Sequence, residues 1–300
     1  MYKPYIAGLR CFLPRLIIAR YVYKGFLEVK MIDKYAVIGN PIAHSKSPQI
    51  HAAFAKQTNQ DMAYEAVLAP LDSFEATVHN LIKQGYRGVN VTVPFKFEAF
   101  NLSATRSQQV MLAGAVNTMT FADLDIIGHN TDGDGLIEDI TVNLKREIKA
   151  KRILLLGAGG AAEGVFQPLL VQHPSMLVVA NRSLDKAHKV VSKSYDKAWQ
   201  GVASTFEDLK NQQFDIVINA TSTGLTDTAL PIPDSIFGKN CLAYDMMYGR
   251  ETPFMAQARA NGAQVADGLG MLVEQAAQAF YLWRGVRPQT APVIAMLRNN

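Results

Sequence analysis

Four consecutive apolar residues, Ile153-Leu154-Leu155-Leu156, run directly into Gly157-Ala158-Gly159-Gly160-Ala161-Ala162. A buried strand followed at once by G-x-G-x-x-A and a helix allows few folds. The first glycine permits a tight turn, the second lets backbone approach a pyrophosphate, and the small third position lets helix and sheet pack closely. Free N–H groups at the helix start are then left to bind an anion. An ordinary turn is the competing reading, but the strand before the glycines and the helix after them favour a dinucleotide. The next strand, Met176 to Ala180, ends in Asn181-Arg182-Ser183 with Lys186 close behind. No acidic residue stands there to hold the ribose hydroxyls of NAD, whereas a guanidinium can pair with a 2′-phosphate. NADP is therefore expected over NAD, a solvated Arg and Lys at a helix start being the alternative.

The remainder of the chain alternates short β-rich runs with helical stretches, the pattern of an α/β protein. Tyr35 to Gly39 reads as a strand broken by Gly39-Asn40-Pro41. In Ser45-Lys46-Ser47-Pro48, Ser47 is the expected N-cap and Pro48 the first helical residue of a helix to about Thr58, with Ile50, Ala53 and Phe54 inward. Met62 to Leu68 reads as a strand, Leu71 to Gln84 as a helix ended by Gly85, and Gly88 to Val93 as a strand stopped by Pro94. Beyond the glycine loop, Met176 to Ala180 and Phe214 to Asn219 continue the alternation expected of a parallel sheet covered on both faces. Met271 to Trp283 is helical in period and follows Asp267-Gly268-Leu269-Gly270.

Three hundred residues with 49% hydrophobic and 19% charged content suit a soluble globular chain of two domains. Cys11 and Cys241 form no disulfide framework, which points to a reducing, intracellular compartment. The net charge of +4 is concentrated in residues 1–30, which hold six basic residues and one acidic residue, Glu28. The other 270 residues carry 24 basic and 25 acidic groups, so the body offers no electrostatic case for nucleic acid. Arg10, Arg15 and Arg20 interrupt the head too often for a signal peptide or membrane span. Residues 1–30 are therefore expected to lie outside the fold, with Met31 a plausible alternative start. His44, His51, His79, His129, His173 and His188 show no metal-ligand spacing and read as surface or loop residues, so no metal is expected. Phe280, Tyr281 and Trp283 read as helix packing rather than a base-stacking platform.

Polar residues cluster in three further places: Asn90-Val91-Thr92-Val93-Pro94-Phe95-Lys96, Ala115-Val116-Asn117-Thr118, and Asn130-Thr131-Asp132-Gly133. Together with Gly39-Asn40-Pro41, Ser45-Lys46-Ser47-Pro48, the glycine loop, Asn219-Ala220-Thr221-Ser222, Tyr244-Asp245-Met246 and Asp267 through Gln275, they resemble, in order, the motifs of the shikimate dehydrogenase family. The resemblance covers about residues 31–300. It implies an NADPH-dependent reduction of 3-dehydroshikimate to shikimate in aromatic amino-acid precursor synthesis, in the cytoplasm. It leaves room for a homodimer and implies no nucleic-acid or membrane partner. The implied architecture is a substrate-binding domain of 31–132 joined by 267–300, with a Rossmann-type domain of 133–266 between.

By the same resemblance, Lys96 and Asp132 match the catalytic pair. Ser45, Ser47, Asn90, Thr92, Asn117, Tyr248 and Gln275 match substrate contacts, the two serines toward the carboxylate. Gly157, Ala158, Gly159, Gly160, Ala161, Asn181, Arg182, Ser183, Lys186, Thr221, Met246 and Gly268 match cofactor contacts. The sequence departs from the family pattern at Lys186, where several members carry Arg, and at Gln108, where many carry an acidic residue. Independently of the resemblance, hydride arrival at a carbonyl leaves negative charge on oxygen, which a proton-donating cation such as Lys96 lowers in energy. Oxidation needs Lys96 neutral, so alkaline pH should favour it. A quinate/shikimate dehydrogenase and a non-catalytic NADP-responsive binding protein are the alternatives, and the second would have no use for Lys96 and Asp132.

Overall fold

A computed structural model describes residues 32–122, 125–194, 201–225 and 228–299, and the expected 1–30 extension lies outside the described residues. In chain order the elements are β1 (Asp33–Gly39), α1 (Ser47–Thr58), β2 (Met62–Leu68), α2 (Phe74–Lys83), β3 (Tyr86–Val91), α3 (Lys96–Leu102), β4 (Thr105–Arg106) and α4 (Gln108–Ala113). They continue with β5 (Thr118–Ala122), β6 (Asp125–His129), α5 (Asp132–Glu138), β7 (Arg152–Leu156), α6 (Gly160–Val171), β8 (Met176–Ala180), α7 (Leu184–Val191) and β9 (Val202–Ser204). The last are β10 (Phe214–Asn219), β11 (Phe237–Asp245), α8 (Pro253–Ala260), β12 (Gln264–Asp267), α9 (Leu269–Arg284) and α10 (Ala291–Arg298).

Two six-stranded sheets result. The first has the order β2-β1-β3-β5-β6-β4, parallel among β2, β1 and β3 but antiparallel where β5 meets β3 and β6. Its inner strand β1, between β2 and β3, is buried from Tyr35 to Gly39 because both faces are covered. Ala36 and Ile38 pack with Phe74, Val78 and Leu81 of α2 on one face. Tyr35 faces the opposite way and stacks on Trp283 of α9, with ring centroids 4.7 Å apart. On that side Ile50 and Phe54 of α1 pack against Val273, Ala277 and Phe280 of α9 and Val293 of α10, so the carboxyl-terminal helices return to the first sheet. Each fully buried Ile or Phe here contributes about 1.5–3 kcal/mol over an exposed one.

The second sheet, β12-β11-β10-β7-β8-β9, is parallel throughout. Ile153 and Leu155 of β7 face Val165 and Leu169 of α6, while Leu154 and Leu156 face Phe254 and Met255 of α8. A central parallel strand must be apolar on both sides, which is why no alternation interrupts this run.

Several boundaries differ by a residue or two from the sequence reading, and three of the differences have a clear local cause. Helix α2 begins at Phe74 rather than Leu71, because a turn from Pro70 to Ser73, closed by Ser73 N–H to Pro70 C=O (3.2 Å), precedes it. Strand β3 runs from Tyr86 to Val91 rather than Gly88 to Val93, since the chain turns at Thr92, whose C=O accepts from Phe95 N–H (3.0 Å). Ser47 is not the N-cap of α1. Lys46 holds that position, and Ser47 is the first helical residue, its N–H donating to Ser45 Oγ (3.3 Å). His51 also departs from expectation: it is fully buried among Phe54, Tyr64, Phe280 and Trp283, and burial lowers its pKa to about 3. A neutral imidazole packs as a small aromatic, which the apolar face of α1 accommodates.

Candidate active site

The carboxyl ends of β1 and β3 open into a cleft of about 460 Å³, also bordered by α9 and by the segment after β11. Eleven of the residues expected at a site line it: Ser45, Ser47, Asn90, Thr92, Lys96, Asn117, Asp132, Met246, Tyr248, Gly268 and Gln275. They come from segments as far apart in sequence as the start of α1 and the middle of α9.

Lys96 and Asp132 are each the first residue of a helix, α3 and α5, and Lys96 Nζ lies 2.5 Å from Asp132 Oδ2. Both side chains are mostly withdrawn from solvent, so the ion pair is screened less than a surface pair. Asn117 holds the carboxylate in place, its Nδ2 donating to Asp132 Oδ1 (2.8 Å) while its Oδ1 accepts from Thr131 N–H (2.8 Å). Gln275 joins the network through Asn117 Nδ2 and Thr131 Oγ1, each 3.4 Å from its Oε1. This approach of α9 depends on Gly135, where a Cβ would come 2.7 Å from the backbone nitrogen of Gln275. Burial raises the pKa of the Tyr248 hydroxyl and keeps it a proton donor.

The expected cofactor residues gather at the carboxyl end of the second sheet, outside the cavity except for Met246 and Gly268. Gly157 has φ +108°, and a Cβ there would lie 3.1 Å from the backbone of Ala220, so only glycine suits the turn. Gly159 caps α6, with no atom within 4 Å of where a Cβ would stand, while Ala162 is fully buried against the sheet. Backbone at Gly159 and Gly160 is thus open to approach at a helix start, with Ala158 and Ala161 flanking it. Thr221 Oγ1 donates to Asn219 Oδ1 (2.7 Å), and Met246 N–H reaches Asn219 C=O (3.0 Å), bringing the ends of β10 and β11 together. Asn181 Nδ2 donates to Ser183 C=O (3.1 Å), and Arg182 and Lys186 are exposed beside the start of α7. An open glycine turn with cations at the end of the next strand fits a dinucleotide bearing a further phosphate.

The glycine loop and the acid–base pair are linked through packing. Helix α6 leads away from the loop, and a Cβ at its Gly164 would lie 3.8 Å from Asp132 Oδ2. Gln108, by contrast, is exposed at the start of α4 and does not line the cavity. Sequence reading missed His44, Met247 and Leu272, which also line it. His44 directly precedes Ser45 and Leu272 lies one helical turn before Gln275, so adjacency and the i, i+3 relation were the available signals. No group of His, Cys, Asp and Glu suited to a metal occurs among the described residues. No helix among them is long and apolar enough to cross a membrane.

Residues 37–119 match the shikimate dehydrogenase substrate binding domain, 139–226 the shikimate / quinate 5-dehydrogenase model, and 268–298 the shikimate 5′-dehydrogenase C-terminal domain. The chain is 58% identical over 268 residues to the shikimate dehydrogenase (NADP(+)) of Methylobacillus flagellatus, covering 89% of this chain and 99% of that one. Among solved structures it resembles an Ael1 enzyme from Pseudomonas putida, with TM-score 0.84 and 47% identity over 88% of this chain and 98% of that one. It also resembles the Thermus thermophilus shikimate 5-dehydrogenase solved with NADP(H) and shikimate, with TM-score 0.79 and 31% identity over 89% and 99% of the two chains. Three successive family models, full-length relatives above half identity and a shared fold place the chain in the shikimate dehydrogenase family.

Proposed function

We propose that the chain catalyses the reversible NADP-dependent conversion of 3-dehydroshikimate to shikimate, a step in aromatic amino-acid precursor synthesis, with Lys96 and Asp132 as the acid–base pair. The observation that carries this reading is the 2.5 Å contact between Lys96 Nζ and Asp132 Oδ2 inside a cavity whose other polar side chains are mostly hydroxyls and amides, set among apolar residues. When bound, NADPH supplies the hydride. As the substrate carbonyl oxygen gains negative charge, Lys96 stabilises it and donates the proton that completes the alcohol. In oxidation, neutral Lys96 takes that proton back. Asp132, aimed by Asn117, positions the ammonium and accepts a hydrogen bond from a ring hydroxyl.

Ser45 and Ser47 receive the substrate carboxylate at the start of α1, where their two hydroxyls line the cavity and the helix dipole favours an anion. Asn90, Thr92, Tyr248 and Gln275 hold the ring. On the cofactor side, Gly157 to Ala161 receive the pyrophosphate and Arg182, aided by Lys186, the 2′-phosphate. Asn181, Ser183 and Thr221 flank the nucleotide. Met246 and Gly268 reach both the cavity and the second sheet, which suits them to the nicotinamide end. Residues 31–132 with 267–300 then carry the substrate and 133–266 the dinucleotide. Cytoplasmic placement fits the buried free thiol of Cys241, and cell fractionation tests it.

The test is the initial rate of nicotinamide reduction by the full chain, with shikimate or quinate as substrate and NADP or NAD as acceptor. Fast turnover of shikimate with NADP alone is the expected result. Comparable use of quinate or NAD would move the assignment to the broader quinate/shikimate enzymes. No turnover by folded protein would refute it.

A further inference from the structure

Tyr64 lies on edge strand β2, outside the cavity and outside every motif singled out above. Its side chain crosses the face of β1, and its hydroxyl donates to Asn90 Oδ1 on β3 (2.7 Å). The ring stacks on His51 of α1, with centroids 4.0 Å apart and planes 7° from parallel. The imidazole of His51 faces the Asn90 amide, though neither of its nitrogens meets hydrogen-bond geometry with a described residue, and it serves as a flat neutral backing. Burial holds the Tyr64 hydroxyl protonated far above the ordinary range, and Ser47 faces the same hydroxyl. The phenol thus keeps its proton behind two residues of the cavity wall.

The consequence falls on Asn90. Its Nδ2 donates to Thr118 Oγ1 (2.9 Å) and to Asn117 C=O (3.3 Å), which uses both amide hydrogens. Turning the amide over would set its oxygen against the Asn117 carbonyl and would cost Oδ1 the hydrogen bond from the Tyr64 hydroxyl. The orientation is therefore determined by its partners, and with both amide hydrogens committed Asn90 meets any further ligand through Oδ1 alone.

We propose that Tyr64 is a positioning residue that locks Asn90 as an obligate hydrogen-bond acceptor in the cavity, so that the site selects a ring hydroxyl able to donate at that point. The inference rests on the substrate reading given under Proposed function. A site that presents a buried acceptor discriminates against a ligand lacking the matching donor, because the acceptor would be left unpaired.

The experiment measures steady-state kinetics of shikimate oxidation for the full chain and for Tyr64→Phe, Asn90→Ala and the double variant. Phe keeps the stack on His51 and removes only the hydroxyl. Tyr64→Phe is expected to raise KM for shikimate about 5- to 50-fold, with kcat within about threefold and KM for NADP unchanged. The double variant should be no worse than Asn90→Ala, because both act through one amide. Additive losses in the double variant, or an unchanged KM in Tyr64→Phe, would overturn the proposal. A second readout needs no mutation: shikimates bearing fluorine in place of one ring hydroxyl can accept but not donate. At least one such analogue should bind as weakly as its deoxy counterpart, with the penalty abolished by Asn90→Ala. If every fluoro analogue binds as shikimate does, Asn90 is not an obligate acceptor. Failure of the wild-type chain to turn over shikimate would instead defeat the functional reading itself.

Discussion

Lys96 and Asp132, 36 residues apart, each begin a helix and meet with Nζ 2.5 Å from Oδ2. The position at a helix start matters for both. It ties the backbone of each residue to a rigid element while leaving the side chain at the cavity rim.

Lys96→Ala removes the proton donor and the cation that stabilises the developing alkoxide. We expect kcat to fall by about 10²–10⁴, with shikimate binding largely retained through the hydroxyl and amide side chains. Stopped-flow kinetics checks this, and a near-native kcat would refute the role of Lys96.

Arg182 is exposed at the end of β8 and makes no hydrogen bond or ion pair with the described residues. Arg182→Ala should therefore leave thermal stability within about 0.5 kcal/mol of wild type. Its effect should fall on the 2′-phosphate, raising KM for NADP by about tenfold or more without changing KM for NAD. Parallel titrations with the two cofactors decide this, and equal shifts for both would remove Arg182 from phosphate recognition.

Gly157 combines a φ of +108° with a tight approach to Ala220. Gly157→Ala should destabilise the chain by about 1–3 kcal/mol, read as a fall of several degrees in melting temperature. It should also raise KM for NADP, because the turn that presents the loop backbone must relax. Unchanged stability would show that the turn tolerates a Cβ.

His51 predicts a pH dependence of stability. Its folded-state pKa is about 3 against 6.5 in the unfolded chain, so between those values the unfolded state binds more protons. Stability therefore rises with pH across that window, and this contribution is lost as pH falls from 6.5 toward 3. By pH 5 the loss amounts to about 2 kcal/mol. His51→Phe keeps an aromatic ring and cannot charge. Urea unfolding at pH 8 and pH 5 should show the wild type losing about that much more than the variant.

Features set by a few neighbouring residues were readable along the chain. Strands Met62–Leu68, Met176–Ala180 and Phe214–Asn219 fall where apolar β-rich runs between breakers placed them. The glycine loop was legible for the same reason, since the tight turn at Gly157 and the small Ala162 answer to their immediate surroundings. Resemblance to a family named the cavity residues but could not say how they hold one another.

What depends on two surfaces meeting was hidden. His51 looked like a loop histidine because nothing near it in sequence shows that α9, more than 200 residues later, will cover it. Ser47 looked like a cap because the spacing to Pro48 allows it, yet the chain path gives the capping oxygen to Ser45. The Tyr64 to Asn90 bond has no trace in either local pattern, since it exists only once β1 lies between β2 and β3. Hydrophobic period and turn chemistry act over a few residues and so can be read from order alone. Burial, donor assignment and the closeness of Lys96 to Asp132 are properties of packed pairs, and packing is settled by the whole chain at once.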